Sequence, residues 1–330
     1  MTPTQPRPGT GVVMVLVSCA LFAVNGTVAK LALRGGFDAP QLTTLRVTGA
    51  FAGLLMLSLA LRPHARRLRV ERRELPLLVV YGLAGFYFVP MLYFVAISRL
   101  PVGIGLLFEY SAPLLVALWA RFGQRQRVRP RLWVGLVASL IGLAGVAEIW
   151  GDVHLDGVGV AAGFAAAVLL AVFYLLGARG VQARDSLSLS CWAFGVAALA
   201  GLVIRPWWHF PTEVLGRTSG GVPVWLLCAY VIVFGSIVPY LLIIGAFRHL
   251  PPTSVGMIGM AEPVIASTVA WLALGEALSI SQLAGGMLVL LGVVLAETAR
   301  TGKPAAEPTL LSAPDLVTAT TARDDGGRSS

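Results

Sequence analysis

The sequence predicts an all-α polytopic membrane protein in which ten transmembrane helices form two inverted five-helix repeats. Mean hydropathy is +0.80, and only 12% of the residues are charged, about half the roughly 25% of a soluble domain. The apolar residues come in long uncharged runs, near or above the roughly 18 residues that a spanning helix needs. The chain also matches itself at a fixed offset. These observations exclude a soluble fold, and runs that are apolar on every face exclude an outer-membrane barrel.

Apolar stretches bounded by charge clusters and helix breakers give the spans in order. The first repeat (11–149) contains spans near 11–33, 41–61, 75–97, 101–120 and 132–149. The second repeat (157–298) contains spans near 157–178, 187–206, 222–247, 251–274 and 279–298. Residues 1–10 are predicted to be a cytoplasmic tail. Residues 299–330 are predicted to be a disordered cytoplasmic tail, because a segment rich in Thr, Ala, Pro, Asp and Gly buries too little apolar surface to fold.

Basic residues decide the predicted orientation. With both termini placed in the cytoplasm, nineteen Lys and Arg residues fall in the inside segments and four in the outside segments. The positive-inside rule therefore predicts a multi-pass protein of the cell membrane with both termini cytoplasmic. The same rule explains the net charge of +9 without a nucleic-acid partner. The expected partners are the lipid bilayer and a small-molecule substrate.

The self-match runs at an offset of 150 residues from about Ala96 to Gly142. It pairs prolines with prolines and glycines with glycines: Pro101 with Pro251, Pro113 with Pro263, Gly135 with Gly285 and Gly142 with Gly292. Near residue 50 the match continues at an offset of 148. Because five is an odd number, the second copy enters the membrane from the side opposite to the first. Inverted repeats of this kind recur in secondary transporters, with the substrate site at the repeat interface.

The two five-helix halves, Glu262-Pro263 in the ninth span and the C-terminal motifs resemble the EamA-type transporters of the drug/metabolite transporter superfamily. The most specific motifs are the run 271–278 (WLALGEAL), the segment 282–286 (QLAGG) and Leu291-Gly292. The resemblance covers about residues 11–298. Arg125-Gln126 stands in the first half where the second has Gly275-Glu276, which departs from the family's usual acidic residue and weakens any role for Glu276 by symmetry. The resemblance implies a carrier of amino acids, related metabolites or drugs and names no cargo.

Four charged residues within the predicted spans are candidates for a functional role: Lys30, Arg46, Glu109 and Glu262. A charge at depth costs at least about 2.5 to 3.5 kcal/mol, so each is a functional candidate by default. Counting about 1.5 Å per residue places Glu109 roughly 12 Å and Glu262 roughly 13 Å from the outer face of the membrane. The two carboxylates are therefore expected at similar depth.

Each half also has a proline close to its acid. Proline has no N–H for the carbonyl four residues earlier, so Pro113 frees the carbonyl of Glu109, and Pro263 frees that of Gly259. Glu109 and Gly259 correspond under the 150-residue offset. We therefore expect a helix kink at both prolines, facing a polar cavity or protein.

Two interpretations of the buried charges stay open. In the first, Glu109 and Glu262 line a central cavity, where they bind an amine-bearing substrate or carry protons. In the second, Arg46 and Lys30 neutralise the two acids in structural ion pairs. Lys30 lies near the outer end of its span and is expected to extend toward the membrane surface. Arg46 lies about 8 Å below the outer end of the second span and is the stronger candidate for the site.

Aromatic and hydroxyl side chains form a weaker set of candidates. Tyr110, Trp192, Ser236 and Tyr240 are assigned to a substrate-binding wall. The neighbouring aromatic residues of the same spans could belong to that wall: Tyr87, Phe88, Tyr93 and Phe108. In a chain with 9% aromatic residues, packing and lipid contact explain most of them.

No catalytic, nucleotide or metal site is predicted. The three cysteines lie in apolar runs without ligand spacing and the histidines lie at span ends, so neither set indicates a metal centre or an enzyme. A GxxxxGKS or GxxxxGKT loop is also missing from the sequence, so no cofactor is expected and gradients must drive transport. Proton coupling and a homodimer stay open. The alternative functions are a channel and a membrane-embedded enzyme.

Overall fold

A computed structural model of the chain describes residues 7–60, 70–126, 128–149, 155–206, 211–274 and 279–298. The predicted tail at 299–330 and most of the tail at 1–10 lie outside these ranges. Within them the chain is almost entirely helical. Its one sheet there is a two-stranded antiparallel hairpin, β1 (Thr218–Ser219) and β2 (Val222–Pro223).

The helices of the first half are α1 (Pro8–Arg34), α2 (Ala39–Ala60), α3 (Leu75–Tyr81), α4 (Val89–Arg99), α5 (Val102–Glu109), α6 (Ala112–Leu118) and α7 (Pro130–Val146). Those of the second half are α8 (Gly157–Ala183), α9 (Ser186–Ile204), α10 (Thr212–Leu215), α11 (Val224–Ile232), α12 (Val238–Ala246), α13 (Pro252–Gly259), α14 (Glu262–Leu274) and α15 (Ile280–Thr298). A 3-10 turn (Arg72–Glu74) precedes α3. Three π-helical segments join α3 to α4 (Gly82–Phe88), extend α6 (Trp119–Gly123) and join α11 to α12 (Val233–Ile237).

Length and apolar composition mark most of these stretches as membrane spans. Among the described residues, eight are long and apolar enough to cross a bilayer: Pro8–Arg34, Ala39–Ala60, Arg72–Arg99, Gly103–Gly123, Gly157–Ala183, Ser186–Ile204, Val224–Ala246 and Ile280–Thr298. Helix α7 is apolar but shorter, and the predicted ninth span is divided between α13 and α14. The all-α membrane class is confirmed, and the count of ten spans stays a prediction.

One contact between the halves occurs twice in exchanged form. A Cβ built on Gly11 of α1 would lie 2.7 Å from Cγ of Leu250. A Cβ built on Gly159 of α8 would lie 2.8 Å from Cγ of Leu100. Gly11 corresponds to Gly159 at offset 148, and Leu100 to Leu250 at offset 150. In each half, the equivalent glycine therefore packs against the equivalent leucine of the other half. A two-fold relation between the repeats requires such paired contacts.

Helices α7 and α15 also pack through paired glycines. Built Cβ atoms on Gly135 and Gly142 would lie 2.5 Å from the carbonyl oxygen of Gly292 and 2.6 Å from that of Gly285. The higher-numbered residue of one helix meets the lower-numbered residue of the other, so the helices run antiparallel. Small residues allow such close backbone approach in membranes. The repeat equivalents Gly135 and Gly285 make mirrored contacts, which supports the inverted relation.

The π-helical segments before α4 and before α12 occupy equivalent places in the two halves. Each contains a glycine, Gly85 and Gly235, separated by 150 residues. A Cβ on Gly85 would lie 2.3 Å from Phe173, and one on Gly235 would lie 2.0 Å from the side-chain oxygen of Asn25. Phe173 and Asn25 correspond at offset 148. A π segment widens a helix locally and is frequent at functional sites, and here both border the centre of the molecule.

Candidate functional site

A cavity of about 100 Å³ lies between the two halves. The first half contributes Cys19, Phe22, Asn25, Gly26, Arg46, Gly85, Val89, Pro90, Tyr93, Phe94, Leu106, Glu109 and Tyr110. The second half contributes Leu170, Phe173, Tyr174, Tyr240, Ile243, Gly259 and Glu262. Charged side chains on α2, α5 and α14 thus meet aromatic side chains from α4, α8 and α12.

The cavity wall itself follows the internal repeat. Six lining positions of the first half have their equivalents in the wall: Phe22 with Leu170, Asn25 with Phe173, Gly26 with Tyr174, Pro90 with Tyr240, Tyr93 with Ile243 and Glu109 with Gly259. A cavity lined by repeat-related positions lies on the axis that relates the halves. That is where inverted-repeat transporters place their substrate site.

Both acids flank an interruption of a helix. Helix α5 ends at Glu109 and α6 begins at Ala112, while α13 ends at Gly259 and α14 begins at Glu262. Pro113 and Pro263 are the second residues of the helices that resume. Neither proline lines the cavity. Each affects the cavity by leaving the carbonyl four residues earlier without a backbone N–H donor.

One of these open carbonyls has a side-chain partner. The Cys19 thiol donates a weak hydrogen bond to the carbonyl oxygen of Gly259, with the sulfur 3.7 Å away. The residue equivalent to Cys19 is Ala167, which has no donor to offer the carbonyl of Glu109. The carbonyl of Glu109 is therefore more open than that of Gly259, while the Ser111 hydroxyl donates to the neighbouring carbonyl of Phe108 at 2.7 Å.

The two carboxylates have different surroundings. Glu262 accepts a hydrogen bond from the Tyr110 hydroxyl and begins α14, where the helix dipole favours a negative charge. Glu109 ends α5, where the dipole opposes one, and none of the side-chain hydrogen bonds within the described ranges includes it. The ion pairs between described residues likewise leave out both acids. Neither acid therefore forms a direct ion pair with Arg46 or Lys30 among the described residues. Lys30 does not line the cavity.

Arg46 brings one positive charge into the cavity wall. Its side chain is 3% exposed. Its Nε donates to the Ser236 hydroxyl at 3.0 Å, and an Nη donates to the carbonyl oxygen of Gly235 at 3.4 Å. The guanidinium lies 5.7 Å from the ring centre of Tyr240 and 6.0 Å from that of Phe94. Cation–π attraction therefore adds to the hydrogen bonds that fix its position.

The other sequence candidates divide between the cavity and its support. Tyr110 and Tyr240 line the cavity, and the Tyr240 hydroxyl donates to the carbonyl oxygen of Gly85 at 3.2 Å. Ser236 lies behind Arg46 and outside the wall, where its hydroxyl also donates to the carbonyl oxygen of Val231 at 2.8 Å. Trp192 is not a lining residue and packs against the main apolar core. The structure thus gives Ser236 a positioning contact and Trp192 a packing one.

Four aromatic lining residues were not singled out from the sequence: Phe22, Phe94, Phe173 and Tyr174. Phe173 belongs to a cluster of rings and stacks on Tyr81 at 5.2 Å with an interplanar angle of 3°. The repeat carries the signal that would have found two of them, because Phe173 and Tyr174 are equivalent to Asn25 and Gly26. Rings in the second half thus occupy the places that Asn25 and Gly26 occupy in the first.

Comparisons with known proteins agree with this architecture. The model of the EamA-like transporter family matches residues 9–147 and 157–298. The threonine/homoserine exporter RhtA of Escherichia coli K12 is 29% identical over 293 residues, which cover 86% of this chain and 88% of RhtA. The transporter YwfM of Bacillus subtilis is 24% identical over 301 residues, covering 90% and 97%. A solved crystal structure superposes with a TM-score of 0.71 at 19% identity, covering 89% of this chain and 98% of that one.

Proposed function

The chain belongs to the EamA-like transporter family, and we propose that it is a secondary carrier that exports or exchanges a small amino-acid-type metabolite by alternating access. The observation that carries the proposal is the cavity on the repeat axis, with two carboxylates and one guanidinium in its wall. A carrier needs a site that two alternative packings of the same halves can expose in turn. Inverted repeats supply such packings, because each half can adopt the arrangement of the other.

The size and charge of the cavity favour a small amine-bearing solute. Drug-sized ligands occupy pockets of about 300 to 1,000 Å³, whereas this cavity holds about 100 Å³. The wall holds two carboxyl groups and one guanidinium, and a carboxylate there pairs with an ammonium group. The relative RhtA is named as an exporter of threonine and homoserine, and amino acids of that size and charge fit the same requirements. We extend that substrate class to this chain as part of the proposal.

The two acids also provide a means of proton coupling. A carboxyl group in a cavity can hold a proton or pair with an ammonium group, and each occupant displaces the other. A carrier that takes up a proton on one side and the amine on the other would exchange them. We propose antiport of protons and substrate on this basis, with Glu109 as the exchanging group because Tyr110 already donates to Glu262.

Counterflow in proteoliposomes tests the carrier function. We expect liposomes loaded with unlabelled L-threonine or L-homoserine to take up the labelled amino acid faster than empty liposomes. A channel gives no acceleration by substrate on the opposite side, and an enzyme changes the labelled molecule. Either of those outcomes would contradict the carrier.

Replacing Tyr110 with phenylalanine tests the partner of Glu262. We expect the pH dependence of amino-acid exchange to change, because Glu262 loses the hydroxyl that occupies it and becomes a second carboxyl group able to take up a proton or an ammonium group. The matched control is Tyr230→Phe, since Tyr230 lies outside the cavity and contacts Phe234. If both variants exchange like the wild type, the hydrogen bond from Tyr110 has no part in binding.

A further inference from the structure

We infer that the cavity holds a zwitterionic α-amino acid in one fixed orientation, with Arg46 binding the carboxylate of the substrate and Glu109 binding its ammonium group. The inference rests on the proposed function. It adds the orientation of the bound amino acid and the requirement that a substrate carry both a carboxylate and an ammonium group. Amines without a carboxylate, and acids without an ammonium group, should then be poor substrates.

Arg46 is a buried cation that lacks a carboxylate partner among the described residues. Arg46 lines the cavity, and the ion pairs within the described part of the chain do not include it. Glu109 interacts with Arg46 electrostatically but without direct contact, and a carboxylate in direct contact offsets more of the cost of burying the guanidinium. A guanidinium has five N–H donors in a planar fork that matches a carboxylate. Ser236 and Gly235 accept two of these bonds, so donors remain for a ligand in the cavity.

Glu109 is the complementary group. Its side chain is half-buried in the cavity wall, and the hydrogen bonds and ion pairs of the described residues do not satisfy it. The C-terminal end of α5 adds partial negative charge from open carbonyls at the same place. Glu262 is less available, because it accepts the hydroxyl of Tyr110. An ammonium group, with three donors, therefore finds its best acceptors at Glu109 and the break that follows it.

Both ends must be present for the pairing to be favourable. An amine alone pairs Glu109 and leaves the remaining donors of Arg46 without a direct partner. A carboxylate alone pairs Arg46 and leaves Glu109 without a cation. A site built to bond a substrate group rejects analogues that lack the group, since its own polar atoms are then left unpaired. A zwitterion satisfies both and adds no net charge to the cavity.

The contacts behind Arg46 make its position independent of the ligand. Ser236 and Gly235 both belong to the π-helical segment Val233–Ile237, and the Ser236 hydroxyl bridges Arg46 and the carbonyl of Val231. Ser236 and Gly235 therefore fix the guanidinium through two of its donors, and the remaining donors are available to a ligand. Ser236 is a positioning residue, and Ser236→Ala should raise KM for amino acids while the maximal exchange rate changes little.

Competition by three related compounds tests the inference in the wild-type protein. Exchange of labelled L-threonine in proteoliposomes is measured against unlabelled L-threonine, its methyl ester and its N-acetyl derivative. The ester removes the carboxylate charge, and acetylation removes the ammonium charge. We expect each derivative to compete at least about tenfold less well than L-threonine. A methyl ester that competes equally overturns the role of Arg46, and an equally effective N-acetyl derivative overturns that of Glu109.

Arg46→Gln tests the assignment by residue, with Arg34→Gln as the matched control because Arg34 is exposed at the end of α1. In Arg46→Gln we expect the methyl ester and unlabelled L-threonine to compete about equally well against exchange of labelled L-threonine. In the control, L-threonine should compete better than the ester by the same factor as in the wild type. If Arg46→Gln does not fold, the role of Arg46 is still tested by the KM of Ser236→Ala and by competition of the methyl ester in the wild-type protein. Normal counterflow without discrimination against the ester refutes this inference and leaves the carrier intact. No exchange of any amino acid by folded protein refutes both.

Discussion

Glu109→Gln is expected to lower the exchange of an amino-acid substrate by about 10- to 100-fold. Glutamine keeps the shape of the side chain but removes the negative charge that pairs with an ammonium group. A hydrogen bond to a charged group contributes about 1.5 to 3 kcal/mol, and about 1.4 kcal/mol corresponds to a factor of ten. Exchange of labelled L-threonine across a range of pH measures the effect, and we also expect the variant to lose the wild-type dependence on pH.

The matched control for this prediction is Glu213→Gln. Glu213 lies on the short helix α10 and is exposed, so its charge is outside the cavity. We expect this control to exchange substrate like the wild type. An unchanged KM and an unchanged pH dependence in Glu109→Gln would mean that its carboxylate neither binds the substrate nor carries protons.

Gly142→Leu is expected to destabilise the fold. A Cβ at this position would lie 2.6 Å from the carbonyl oxygen of Gly285 and 2.6 Å from the backbone nitrogen of Val289. Overpacking a core typically costs about 1 to 3 kcal/mol, and more where neighbours cannot move aside. Here the neighbours are backbone atoms, so α7 and α15 must separate. We expect the Tm in detergent to fall by about 5 °C or more, with a loss of monodisperse protein.

Gly157→Leu is the control for the glycine prediction, because a Cβ on Gly157 meets no atom within 4 Å. It tests whether any added side chain of this size destabilises the protein. If Gly142→Leu and Gly157→Leu melt at the wild-type temperature, the close packing of α7 and α15 does not stabilise the fold.

Much of the helical arrangement could be predicted because it depends on hydropathy and on the repeat. The proline pair Pro113 and Pro263 marked the regions where the structure interrupts α5 and α13. Hydropathy cannot reveal a π-helical segment, which depends on one extra residue within a helix turn. Such a segment rotates the residues after it, so the direction of Ser236 could not be read from helical spacing.

The wall of the cavity could be predicted only in part. A charged residue at depth in an apolar span is conspicuous, which is why Arg46, Glu109 and Glu262 were found. Phe173 and Tyr174 lie in an apolar run where aromatic residues usually pack against neighbours or lipid. Their place in the wall depends on contacts between distant helices, such as that between Phe173 and Gly85. The pairing of Tyr110 with Glu262 joins residues 152 apart in sequence and has no local signal.

Access to the cavity from each side of the membrane tests the central claim most directly. The probe is Gly26→Cys in a chain whose native cysteines are replaced by alanine: Cys19, Cys191 and Cys228. Gly26 lines the cavity, and a Cβ there would lie 3.5 Å from the Tyr93 hydroxyl, an ordinary contact. A membrane-impermeant thiol reagent is applied to right-side-out and to inside-out vesicles. Alternating access at the repeat interface predicts labelling from both sides, slowed by L-threonine in each case. Labelling from one side alone under every condition, or at a rate that L-threonine does not change, would contradict it.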